Sequence, residues 1–113
     1  MALWRVQIAL GAADRAKLET EKVEINSRLD ARLFDKPRDW TEWRDRIKKT
    51  PIFIWQGRFK NKAGSDNLKA FLDSKVAEWK SAAISGTTSL HLCTHDEPSP
   101  IDCSTSQYSE IEF

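Results

Sequence analysis

No apolar run in this chain is long enough to cross a bilayer; the longest are short stretches such as PIFIW at residues 51–55. Glycine is scarce too, at four residues, which leaves little material for a backbone cradle around phosphate. Neither a P-loop, a dinucleotide fingerprint, a nucleophile elbow, a kinase motif set nor a zincin helix occurs. These absences argue against an enzyme. The opening stretch MALWRVQIALGAA ends in small residues that resemble a cleavage site. Its apolar part is short and is interrupted by Arg5 and Gln7, so a secretory signal is not expected. The expected compartment is therefore the cytoplasm, where thiols stay reduced.

What is present is ordinary for a small soluble domain. A chain of 113 residues with 40% hydrophobic and 31% charged content can bury a core without disulfide or metal staples. The formal net charge of +1 conceals segregation. Residues 36–62 hold nine Lys/Arg and three Asp/Glu, whereas residues 94–113 hold five acids and no Lys or Arg. A basic middle and an acidic end can attract each other within one chain or between copies. Five tryptophans are many for this length, and the expectation is three or four in the core with one or two near a binding surface.

Periodicity predicts an α+β domain. LWRVQIAL, residues 3–10, alternates Trp4, Val6, Ile8 and Leu10 against Arg5 and Gln7, the pattern of a half-buried strand. Leu18, Ile25, Leu29 and Leu33 recur at helical spacing over residues 13–33. After Pro37, DWTE reads as a capping box opening a short helix with Trp40, Trp43 and Ile47 on one stripe. IFIWQGRF, residues 52–59, is apolar on both faces in its first half and fits an interior strand, with Gly57 as a candidate bulge. KNKAGSD reads as a loop, followed by a helix from Ser65 or Asp66 to about residue 84, closed by Ser85-Gly86. TTSLHLCTH and SQYSEIEF are strands, the second alternating Ile111 and Phe113 against Glu110 and Glu112. The expected order is β-α-α-β-α-β-β, with helices on one face of a mostly antiparallel sheet of about four strands.

HLCTHDEPSPIDC, residues 91–103, holds both histidines and both cysteines of the chain. A single zinc ion would take Cys93 with one of His91 and His95, then Cys103 from the returning strand. The two histidines together are poorly placed, because positions i and i+4 of a strand lie about 13 Å apart. The spacing also lacks the paired C-x-x-C or H-E-x-x-H form. A Cys93–Cys103 disulfide would contribute roughly 2.5–3 kcal/mol through loop closure, but a reducing compartment disfavours it. A Cys93 nucleophile activated by His91 or His95 would need an oxyanion hole, and no glycine-rich turn or helix start follows it. The reading favoured here is two free thiols and two histidines beside a hairpin, without chemistry and without a cofactor.

Elsewhere, RDRIKKTPIFIWQGRFKNK interleaves cations with aromatics, as nucleic-acid binding requires, and Arg58, Lys60 and Lys62 alternate along a strand and its continuation. A pI near 7.8 and the acidic end weigh against that use. Lys75 lies within the apolar stripe of the last helix, where its stem is expected to cover apolar surface while its head reaches water. The function expected is therefore that of a non-enzymatic module binding another protein or its own copies, with no membrane role. Its compact form suits bacterial or phage accessory and assembly proteins. The candidate surface comprises Tyr108, Glu110, Ile111, Glu112 and Phe113, which could add a strand to a sheet edge, together with Arg58, Lys60 and Lys62. The alternatives are a metal-binding or redox-responsive hairpin at His91, Cys93, His95 and Cys103, and nucleic-acid binding through residues 44–62.

Overall fold

The alternation of Val6, Ile8 and Leu10 makes the first strand, β1 (Leu3–Gly11), the middle of the molecule. The computed structural model describes residues 3–29, 40–59, 61–93 and 107–113. After β1 come α1 (Arg15–Arg28), β2 (Thr41–Arg44), β3 (Pro51–Phe59), α2 (Lys62–Ser74), α3 (Val76–Ser81), β4 (Ser85–Cys93) and β5 (Gln107–Glu112). The five strands form one sheet in the order β2-β3-β1-β4-β5, with every neighbouring pair antiparallel. β1 pairs along its length with both neighbours, so Ile8 stands between Trp55 and Thr88, and Leu10 between Phe53 and Gly86.

That register sorts side chains onto two faces. One carries Val6, Ile8, Leu10, Phe53, Trp55, Phe59 and Leu90, all buried. Each large apolar side chain taken out of water there contributes about 1.5–3 kcal/mol. Helices cover this face: Arg15 of α1 lies 5.1 Å over the Phe53 ring, Thr88 donates to Asp73 of α2 at 2.7 Å, and Trp79 of α3 stacks on Phe113 at 5.4 Å. No helix packs on the opposite face among the described residues. The expected α+β class, the antiparallel sheet and the one-sided helices are thus present, with five strands in place of about four.

Local differences from the sequence expectation have physical causes. Residues 41–44 form a strand pairing with β3, followed by a turn, instead of a helix. Glu42 reaches no helix cap, because it takes a bidentate bond from Arg15 at 2.7–3.1 Å. Asp45 accepts from the Ile47 and Lys48 N–H groups, an Asx-type turn that ends the strand. Gly57 pairs in regular register with Val6 and makes no bulge; the register shift lies instead at Leu90/His91 against β5. α2 starts earlier than expected, because the Asn61 side chain accepts from the Ala63 N–H and caps it. At Lys75 the helix breaks into α2 and α3.

α3 is closed by Ala83, two residues past its end with φ 60°, and not by Ser85-Gly86. The Ile84 N–H bonds to the Trp79 carbonyl and the Ala83 N–H to that of Lys80, the two bonds of a Schellman close. Gly86 has another role. A Cβ at that position would lie 1.8 Å from the Ala9 carbonyl oxygen, so only glycine lets β4 approach β1 there. Gly86→Ala is expected to lower stability by at least about 1–3 kcal/mol. Ala83→Gly, which relieves a left-handed alanine, should raise it by up to about 1 kcal/mol. Urea unfolding of the two variants beside wild type checks both signs.

Candidate functional site

The face of the sheet that is helix-free among the described residues carries a row of basic side chains. Register places Arg5 of β1 directly between Arg58 of β3 and His91 of β4. They are only 4%, 3% and 9% exposed, and Ser89 beside them is buried too. Arg5 and Arg58 are both engaged in further interactions. The Nδ1 of His91 is buried without a hydrogen-bond partner among the described residues. Burial first, and the Arg5 charge second, hold the His91 imidazole below its ordinary pKa, against an opposing pull from Glu110.

The hairpin expectation meets this face at one point. His91 is in β4 with its side chain on the helix-free side, and Cys93 closes the same strand. His95 and Cys103 lie outside the described residues, so the zinc and disulfide readings of residues 91–103 gain no geometry. Among the described residues no group of three or more metal-ligating side chains converges.

The basic residues of the expected interaction surface are not brought together. Arg58 faces the helix-free side and is buried, whereas Lys62 opens α2 with its ammonium 5.5 Å over the Trp4 ring on the helix side. Lys62 also bonds Asp66 at 2.6 Å. Lys60 lies outside the described residues, and of Tyr108 the backbone position in β5 is described. β5 is the last strand of the sheet, with Glu110 and Glu112 exposed. Ile111 is half-buried, and Phe113 is held by its stack on Trp79 and by paired backbone bonds with Gly86.

The opposite edge presents what periodicity missed. Trp43 is 61% exposed and Ile47 92% exposed, the first on β2 and the second in the turn after it. Trp43 sits on the helix-free side beside Ile52, with which it is paired. Arg44, Arg46, Lys48 and Lys49 are exposed around them. A helix over this segment would put Trp40, Trp43 and Ile47 on one stripe; an edge strand followed by an Asx turn separates them and leaves Trp43 and Ile47 in solvent. The other tryptophans match expectation, with Trp55 and Trp79 in the core and Trp4 and Trp40 packed against it. Between the two edges, at one end of the sheet, an open cleft of about 570 Å³ is lined by Ala9, Ile52, Thr87, Asp45 and Lys48 among others. Thr50, Ser85 and Glu112 line it as well.

Lys75 is neither a snorkelling surface residue nor an isolated amine. Its ammonium lies 2.8 Å from Glu24, 3.0 Å from Glu78 and 3.8 Å from Glu21, tying α1 to the α2–α3 junction. Burial alone would lower its pKa, but hydrogen bonds to Glu24 and Glu78 outweigh it and hold the group charged above its ordinary range. Glu21 accepts from the indole N–H of Trp79 at 2.8 Å, and burial raises its pKa against the pull of Trp79 and Lys75. Glu24 is held below its ordinary value by its bond to Lys75. The cluster explains how an acid occupies the buried stripe of α1.

The two carboxylates therefore act on stability with opposite signs. Glu24, depressed, contributes stability above its unfolded pKa that is lost as pH falls through the folded one. Glu21, raised, contributes stability below its unfolded pKa that is lost as pH rises through the folded one. In urea titrations across acidic pH, Glu24→Gln should remove loss on the acid side. Glu21→Gln should keep the Trp79 bond and remove loss on the alkaline side. Glu21→Leu, which leaves the buried indole N–H without an acceptor, should cost about 1–3 kcal/mol at neutral pH.

Among the described residues no helix is long and apolar enough to cross a membrane. No family model, no curated protein and no solved structure matches this chain.

Proposed function

We propose that this chain is a non-enzymatic module that binds protein, through the basic edge of its sheet. The supporting observation is the exposure of Trp43 and Ile47 on and beside one edge strand of the sheet. A tryptophan ring left in water is the residue type that most often anchors an interface, since it loses few rotamers and buries a large area. The four exposed cations that follow it in sequence, Arg44, Arg46, Lys48 and Lys49, make an acidic surface the best complement. Catalysis finds less support, because the sequence carries none of the spaced motifs that nucleophilic, phosphoryl-transfer or zinc-dependent enzymes use.

A metal- or redox-responsive hairpin is the second reading, favoured by the buried His91 Nδ1 that has no hydrogen-bond partner among the described residues. Cys93, Cys103 and one of His91 and His95 would be the ligands, and zinc the ion. Native mass spectrometry beside a denatured spectrum decides it, since a metal adduct lost on acidification is its signature. Nucleic-acid binding through residues 44–62 is supported least, because Arg58 and Lys62 stand on opposite sides of the sheet.

The leading reading is tested with wild-type, Trp43→Ala and Ile47→Ser baits in quantitative affinity capture from the source cells. The expected result is one or more proteins retained by wild type and depleted at least about tenfold by either substitution, as loss of an anchor worth over 1.4 kcal/mol implies. Near-UV circular dichroism checks that the variants are folded. Identical captured sets would contradict the reading.

A further inference from the structure

The two edge strands of the sheet, with the turn beside one of them, carry opposite charge among the described residues. Among the described residues β2 pairs only with β3, and β5 only with β4. The β2 edge and its turn present Arg44, Arg46, Lys48 and Lys49, while the acids there are committed: Glu42 to Arg15, Asp45 to the turn amides. Residues 107–113 contain Glu110 and Glu112, both exposed, and no Lys or Arg. Four antiparallel steps from β2 to β5 make these two strands run in the same direction. A copy displaced sideways, without inversion, would thus continue the sheet with its helices on the same side.

We infer that copies of this chain associate head to tail, with β5 of one copy adding in parallel to β2 of the next. The inference rests on the protein-binding reading and names the partner as a second copy. The symmetric arrangements are opposed by charge: β5 against β5 sets Glu110 and Glu112 against themselves, and β2 against β2 does the same with the cations. Thr87 to Leu90 pair regularly with residues 109–112, so β5 is held straight enough to offer its outer backbone groups. Trp43 then lies at the joint, where an incoming strand covers it. A four-residue edge buries little area, so each contact is weak and the assembly grows with concentration. A head-to-tail contact does not close on itself after one step, which produces chains of copies and not a fixed dimer.

Sedimentation velocity over a concentration series tests this. Wild type should show a sedimentation coefficient that keeps rising with concentration, and should revert to monomer at about 1 M salt, where charges are screened beyond about 3 Å. Glu112→Lys alone and Arg44→Glu/Arg46→Glu alone should each remain monomeric. An equimolar mixture of the two should associate again, because reversed β5 edges meet reversed β2 edges and native edges meet native ones. Near-UV circular dichroism and urea midpoints establish that each variant is folded. A monomer at every concentration overturns the inference, as does a closed dimer or an assembly that survives both reversals. If affinity capture still depends on Trp43 after such a result, the protein-binding reading stands and only the choice of a second copy fails. Loss of both dependences removes the two together.

Discussion

Everything in the fold follows from β1 being paired on both sides. Val6, Ile8 and Leu10 fill the helix side of the sheet at its centre, and their partners on β3 and β4 are fixed by the same ladder. A one-residue slip would send this apolar set to the opposite face, so burial and register enforce each other. The approach of β4 depends on Gly86, whose missing Cβ admits the Ala9 carbonyl. With the centre fixed, the helices have one apolar face to cover, and β2 and β5 are left as edges.

The helix layer is tied down by polar contacts placed inside it. Glu21 and Lys75 both lie where a simple amphipathic pattern would put leucine, and each is satisfied across the α1–α3 boundary. Thr88 and Lys69 meet at Asp73 in the same way, joining α2 to β4. Such bonds add modest stability, yet each fixes a single arrangement, since misdocking would bury unpaired groups. The opposite side of the sheet has no comparable layer among the described residues, and its chemistry is the row of Arg58, Arg5 and His91.

Strands and long helices were legible because their periodicity is local. Alternation in residues 3–10 and 107–113, and the two-sided apolar run at 52–55, describe half-buried and interior strands directly. Residues 40–49 were not legible, since DWTE has a capping-box form and its decisive partner, Arg15, is 27 positions away. The start of α2 was hidden by Gly64, which looks like loop material but is buried inside the first turn. Ala83 gives no sign in the sequence that it adopts a left-handed conformation. The candidate surface was legible in its sign and not in its location. Charge counting finds a basic middle and an acidic end, but only strand order puts Arg44 and Glu112 on opposite edge strands, and only burial shows Arg58 inside.

Hydrogen–deuterium exchange measured at low and high protein concentration probes the account most directly. Amides of β1 should be the slowest to exchange at both concentrations. Those of β2 and β5 should gain protection together at the higher one, with the helices unchanged. Fast exchange in β1 would contradict the central place given to that strand. Protection appearing on one edge alone, or on the helix layer, would contradict the division of the sheet into a fixed centre and two complementary edges.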